Sequence, residues 1–231
     1  MDALKGDWYC LDTALGEPAW NMALDETLLL KVAVLAKPVL RFYGWTEPAA
    51  TFGYSQRVAE IEALTHLRPV IRRPTGGGLV PHDFDWTYSV IVPPGHPWYE
   101  LSAVESYRTV HEWVAAGLNG TGLNGVTLAD CCLKPAPGQC FLGYEKYDVL
   151  WSGKKVAGAA QRRSKNGLLI QGSLQPPRSL SDRTKWQAAM LASASTLGAR
   201  FEDLALTPEL LVLTDSLASS KYRTFAFNRR L

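Results

Sequence analysis

Three short segments hold most of the side chains that could do chemistry. The first, Arg72-Arg73-Pro74-Thr75-Gly76-Gly77-Gly78-Leu79-Val80-Pro81-His82-Asp83, sets three consecutive glycines between a guanidinium and an imidazole. Residues without a Cβ let the backbone approach a ligand closely and present its amides to a carbonyl or phosphate oxygen. A solvated hairpin would use the same residues, because glycines punctuate turns in most folds. The second segment runs from Ser152 to Arg163, with Lys155 followed by Val156, Ala157, Gly158, Ala159 and Ala160. Side chains this small leave space beside a sheet. Either a closely packed helix or a slender acyl chain fills it, the latter with the Lys155 ammonium at its carboxyl end.

The third candidate is Cys140, within Pro137-Gly138-Gln139-Cys140-Phe141-Leu142-Gly143. Most free cysteines are small buried hydrophobes. A cysteine becomes a nucleophile as the thiolate, which a neighbouring cation favours. Lys155 lies 15 residues on, past a turn at Gly153, so paired strands could bring the two together. Cys10, Cys131 and Cys132 lack such a setting and read as structural. Adjacent Cys131-Cys132 has no spacer of the kind a zinc knuckle needs, and no metal site is expected.

The elements that must position these residues follow from periodicity. Trp20, Ala23, Leu24 and Leu28 share one face of a helix expected over Pro18 to Val34. Val39 to Tyr43 alternates as a half-buried strand, with a partner over Ala49 to Gly53. A short helix over Val58 to Leu64 precedes a strand from Pro69 to Arg72. Thr87 to Val92 is β-rich, and the capping box Ser102-Ala103-Val104-Glu105 opens a helix whose core stripe is Ala103, Tyr107, Val110, Val114 and Leu118. Strands are expected over Tyr147 to Ser152, Lys155 to Arg162 and Gly167 to Leu174. From about residue 180 the tail reads as helical, with Asp182 to Leu197 and then a helix capped by Thr207 with Pro208 at its first position. The class is α+β, as one domain over residues 1–231.

Bulk properties exclude several alternatives. A net charge of +2 on 231 residues leaves no basic footprint for nucleic acid. No stretch is apolar enough to span a bilayer, and the N-terminus lacks the core of an export signal. No membrane partner is expected, a cytoplasmic location follows, and the four cysteines are expected to be reduced.

Together these segments resemble the lipoate-protein ligase and octanoyltransferase family, whose catalytic domain shares the biotin protein ligase, class II synthetase-like fold. The resemblance extends from Asn21 to about Leu174. It rests on Asn21-Met22-Ala23-Leu24-Asp25-Glu26, on the Arg-Arg-x-Thr-Gly-Gly-Gly loop ending at His82-Asp83, and on the Gly-x-Lys-x-x-Gly-x-Ala-Gln-Arg strand. It implies a mixed, largely antiparallel central sheet flanked by helices.

The resemblance also implies a reaction. Ligases of the family activate a free acid with ATP. One transferase branch instead moves octanoate from acyl carrier protein onto a cysteine in a Gly-x-Cys-Phe segment, with a lysine fifteen residues later lowering that cysteine's pKa. Gly138-Gln139-Cys140-Phe141 and Lys155 reproduce this arrangement, which implies Cys140 and Lys155 as catalytic residues. A third branch places its cysteine after the lysine strand, and here none follows Cys140. The implied enzyme passes an octanoyl or lipoyl group to a lysine of a lipoyl-domain protein, such as the glycine cleavage H protein or a 2-oxoacid dehydrogenase E2. The implied substrate site comprises Arg73, Thr75, Gly76, Gly77, Gly78, Val80, His82, Ala157, Gly158, Ala159 and Ala160. No cofactor is implied, whereas an ATP-dependent ligase lacking a fused accessory domain would need ATP and magnesium. Three departures stand out: Gln171-Gly172-Ser173 where the family has His-Gly-Ser or His-Gly-Thr, Pro81 before His82, and Leu142-Gly143-Tyr144-Glu145 after Phe141. Gln171 favours a further alternative, a member that binds acyl groups or carrier domains without turnover.

Overall fold

The computed structural model describes residues 2–133 and 141–230. The chain opens with β1 (Gly6–Gly16), α1 (Pro18–Leu35), β2 (Val39–Trp45), β3 (Ala49–Phe52) and α2 (Val58–Leu64). Next come β4 (Val70–Arg72), β5 (Val80–His82), β6 (Trp86–Val92), α3 (Pro97–Glu100), α4 (Ala103–Gly120) and β7 (Val126–Leu128). The hairpins of β8 (Val149–Trp151), β9 (Lys154–Ser164) and β10 (Gly167–Leu174) follow. The remainder is α5 (Arg183–Ser195), β11 (Ala199–Asp203), α6 (Pro208–Leu217), a π-helical turn at Ala218–Tyr222, and α7 (Phe225–Asn228).

Eight strands form the main sheet in the order β11-β1-β2-β6-β10-β9-β8-β7. β1 runs parallel to β11 and β2, and every other neighbouring pair is antiparallel. This is the expected mixed, largely antiparallel α+β arrangement. A smaller sheet, β4-β3-β5, carries the glycine loop between β4 and β5. The helical reading of the tail misses β11, which lies along β1 and extends the sheet at that edge. β1 itself carried too irregular a pattern to be anticipated, and its register shifts between Asp12 and Leu15.

Strand alternation sorts the main sheet into two faces. Leu40, Phe42, Tyr88, Val90, Leu168 and Ile170 point into the larger core under α4 and α5, with Trp8, Trp98, Trp113 and Trp186. The other face lies under α1, and its cross-strand rows can be read from the register. Val39, Ile91 and Leu169 form an apolar row packed on Leu24, Leu28 and Val32. The next row is Arg41, Ser89, Gln171 and Ala160, and the one after it is Tyr43, Thr87, Ser173 and Gly158. The sheet thus changes from greasy to polar along its length, and the candidate site lies over the polar end.

α1 is correspondingly buried on more than the single predicted face. Asn21, Asp25, Glu26 and Thr27 are buried alongside Leu24 and Leu28, while Trp20 is half-buried. In α4 the Ser102–Glu105 capping box forms as expected, and Val110, Val114 and Leu118 are buried, but Ala103 is exposed and Tyr107 half-buried.

Candidate active site

Two buried carboxylates organise the polar rows. Asp25 of α1 receives Arg41 Nη1 at 2.7 Å, Ser89 Oγ at 2.8 Å, Tyr43 OH at 3.0 Å and Gln171 Nε2 at 2.7 Å. Neither Arg41 nor Asp25 exposes its side chain, so the ion pair is fully desolvated. A desolvated pair contributes little net stability, but losing one partner strands the other charge, which holds both in place. The Tyr43 hydroxyl stays protonated, its pKa driven up by burial and then by Asp25. Asp85 is the second carboxylate. Its Oδ2 meets Ser173 Oγ at 2.7 Å, Thr87 Oγ1 at 3.0 Å and His82 Nδ1 at 2.8 Å.

His82 is clamped. Its ring stacks on Trp45 with centroids 3.9 Å apart, and Nε2 lies 2.7 Å from Thr51 Oγ1. Arg73 Nη1 donates to the same Thr51 oxygen at 2.9 Å, which leaves the hydroxyl hydrogen free for Nε2. Nδ1 carries a proton towards Asp85, because the facing carboxylate oxygen only accepts. Arg73 also donates from Nη2 to the carbonyls of Gly76 at 2.8 Å and Gly78 at 2.9 Å, so its guanidinium shapes the loop from within. Arg72, its neighbour, faces away. It donates to the carbonyls of Tyr54, Gln56, Phe227, Asn228 and Arg230 and pins the C-terminal segment against β4.

A pocket of about 450 Å³, part of it open to solvent, lies over the two polar rows. Met22, Tyr43, Trp45, Val80, Phe141, Gly158 and Ala160 supply much of its wall. Arg73, His82, Lys155, Ala159 and Gln171 also reach it. Thr75 is buried beside it and donates to Gln171. Gly76 and Gly77 instead line an adjoining shallow groove, which shares Ala159 and Ala160 with the pocket. Gly78 enters the site through the bond its carbonyl makes to Arg73. Ala157, expected at the acyl-binding wall, is fully buried in the core on the opposite face.

The reason for that displacement is a bulge. Leu150 pairs with Lys155 but the next residue back, Val149, pairs with Ala157, so Val156 is an extra residue in β9. Val156 and Ala157 both join the core, and the alternation beyond them is reversed. Lys155 thereby shares the pocket face with Gly158 and Ala160. Its ammonium pairs with Asp148 Oδ2 at 2.7 Å, with 7% of the lysine and none of the aspartate side chain exposed. The lysine stem crosses Gly158: a Cβ there would stand 2.6 Å from Lys155 Cε. A residue larger than glycine would displace the lysine. Tyr107 donates to the other oxygen of Asp148, and burial followed by Asp148 raises its pKa, keeping it a donor. Lys154 is exposed on the far side of the turn.

Cys140 lies outside the described residues. Phe141, next in sequence, lines the pocket and places its ring 5.1 Å from Lys155 Nζ. Of the other thiols, Cys10 is half-buried and its pKa is raised to about 11, chiefly by burial. Cys131 and Cys132 are exposed rather than structural core residues, and a hydrogen bond with Asp130 raises the pKa of Cys131.

Sequence reasoning missed Asp25, Arg41, Thr51, Asp85, Asp148 and the part Gln171 plays. One signal was available, an arginine inside the apolar run Val39-Leu40-Arg41-Phe42-Tyr43, which predicts a buried carboxylate partner without identifying it.

Residues 17–182 match the lipoyl protein ligase A/B catalytic domain. The octanoyltransferase LipM of Halalkalibacterium halodurans is 37% identical over 179 residues, 72% of this chain and 65% of that protein. The octanoyltransferase LipM of Bacillus subtilis strain 168 is 36% identical over 182 residues, 74% of this chain and 66% of that protein. The matched region thus spans about two thirds of the length of these curated relatives. Among solved structures, the bi-partite lipoate protein ligase of Thermoplasma acidophilum superposes with a TM-score of 0.73 at 20% identity, covering 96% of both chains. A lipoate-protein ligase A bound with ATP gives a TM-score of 0.78 at 23% identity, covering 97% of this chain and 98% of that one. At such identities the structures establish the fold, and the sequence match establishes the kinship: the chain belongs to the lipoyl protein ligase A/B catalytic domain family.

Proposed function

We propose that this chain is an acyltransferase that moves an octanoyl group from acyl carrier protein, through a thioester on Cys140, to a lysine of a lipoyl-domain protein. The observation that carries the reading is the Lys155 ammonium at the wall of a largely apolar pocket, beside Phe141 of the Gly-x-Cys-Phe segment. The naming of relatives as octanoyltransferases supports it.

The chemistry requires no ATP. The thiolate of Cys140 attacks the donor thioester carbonyl, a C–S bond forms, and the carrier's thiol leaves with a proton. This exchange of one thioester for another is nearly even in energy. The acceptor's neutral lysine amine then attacks the enzyme thioester, expels Cys140 and loses a proton, giving an amide downhill. Lys155 favours the thiolate and stabilises negative charge on the acyl oxygen. The pocket wall formed by Val80, Gly158, Ala159 and Ala160 holds the hydrocarbon.

Incubation with octanoyl carrier protein in the absence of ATP should add one octanoyl group to the intact mass. Cys140→Ala should abolish that adduct. An adduct surviving in Cys140→Ala would place the acyl group elsewhere. Modification of a lipoyl domain only from free acid and ATP would make the chain a ligase, and the absence of any adduct or transfer would make it a non-catalytic binder.

A further inference from the structure

Gln171 occupies a junction that neither the pocket chemistry nor the family match explains. Its side chain is 94% buried and makes two strong hydrogen bonds in opposite directions. Nε2 donates to Asp25 Oδ2 at 2.7 Å, and Oε1 accepts from Thr75 Oγ1 at 2.7 Å. The amide cannot be flipped. Asp25 is a carboxylate and accepts only, so it selects the NH₂ end and turns the oxygen towards Thr75. The aspartate is itself held by Arg41, Tyr43 and Ser89. Thr75 is the residue immediately before the three glycines.

We infer that Gln171 is a positioning residue, a carboxamide clasp that transmits the fixed orientation of Asp25 to Thr75 and holds the glycine loop over the pocket. Other attachments among the described residues also act on that loop. Arg73 gathers two of its carbonyls, Tyr54 N–H donates to the Thr75 carbonyl at 2.9 Å, and the Gly77 carbonyl oxygen fills the space a Cβ on Gly53 would need. These tie the loop to itself and to the small sheet. Only the Gln171–Thr75 bond, among those described, ties its side chains across the pocket to the main sheet. The clasp also consumes both polar ends of Gln171, so that wall shows an acyl chain no unsatisfied donor or acceptor. A carboxamide does not titrate, and the loop's attachment is therefore independent of pH through this residue.

The inference concerns loop geometry and bears on catalysis only through the proposed acyl transfer, so two readouts separate them. Hydrogen exchange at the amides of Gly76, Gly77 and Gly78 reports the loop, and acylation by octanoyl carrier protein reports the reaction. Gln171→Leu should speed loop exchange at all pH values. Gln171→Glu is the sharper variant, because one carboxyl oxygen would face Asp25 Oδ2 and needs a proton between them. Burial and the Asp25 charge raise the pKa of such a carboxyl, so the clasp persists at low pH and opens as pH rises. Relative to wild type at each pH, loop exchange in Gln171→Glu should increase by at least about tenfold between about pH 5 and about pH 9, with acylation falling in parallel. Thr75→Val combined with Gln171→Leu should loosen the loop no more than the worse single substitution, since both break the same Gln171–Thr75 bond. A pH-independent exchange ratio for Gln171→Glu, or additive effects in the double variant, would overturn the clasp. If the wild type is not acylated at all, the proposed reaction fails while the exchange measurements still decide the clasp.

Discussion

His111 offers a test of the site's electrostatics that does not depend on turnover. It lies in α4 with no exposed surface, and its ring meets the Tyr107 ring edge-on at 4.2 Å between centroids. Burial, and secondarily the Lys155 charge, lower its pKa from 6.5 to about 3. Below about 6.5 the unfolded chain takes up a proton that the folded chain refuses, so stability is lost as pH falls towards about 3. The slope approaches about 1.4 kcal/mol per pH unit, which amounts to about 2 kcal/mol at about pH 5. Above the unfolded value the residue contributes no pH dependence. His111→Phe keeps a flat ring and removes the titration, and its own packing cost is the same at every pH. Urea unfolding of both proteins at about pH 7 and about pH 5 should show wild type losing about 2 kcal/mol more than the variant over that interval. Parallel losses would mean that His111 is protonated in the fold. In that case the description of a buried neutral imidazole beside the Lys155 ammonium would be wrong. Lys155→Met removes the second cause of the depression and should shorten the pH window from its acid end.

Three further expectations follow from single contacts. Lys155→Met should slow iodoacetamide alkylation of Cys140 at neutral pH and recover as pH rises, whereas Lys154→Met, exposed across the turn, should leave the rate unchanged. Equal rates for all three proteins would remove the electrostatic role of Lys155. The Tyr88 hydroxyl is buried with no hydrogen-bond partner among the described residues, so Tyr88→Phe should unfold at equal or higher urea, by up to about 1 kcal/mol. A clear destabilisation would show that the hydroxyl is bonded. Arg72→Met should free the C-terminal segment, making trypsin cleavage at Arg223, Arg229 and Arg230 faster than in wild type. An unchanged cleavage rate would mean that the three carbonyl contacts Arg72 makes to Phe227, Asn228 and Arg230 are not what holds the segment.

Local pattern determined a good deal here. The helix spacing of Ala23, Leu24 and Leu28, the Ser102 capping box and the β-rich run to Val92 each encode an element through nearest neighbours, and each forms. The loop around Gly76–Gly78 and the small-residue strand were also legible, because unusual composition marks a place where side chains must be absent. Partnership was not legible. Asp25, Arg41, Ser89 and Gln171 are scattered over the chain, and only the register of β2, β6 and β10 sets three of them in one row beneath the fourth. The side of β9 on which Lys155 emerges depends on one extra residue opposite Val149, and a period-two reading of the strand assigns it to the wrong face. Residue types thus set the chemistry that this chain can carry. Which groups meet was decided by strand pairing, because hydrogen bonds and ion pairs act over a few ångströms between residues that the sequence keeps far apart.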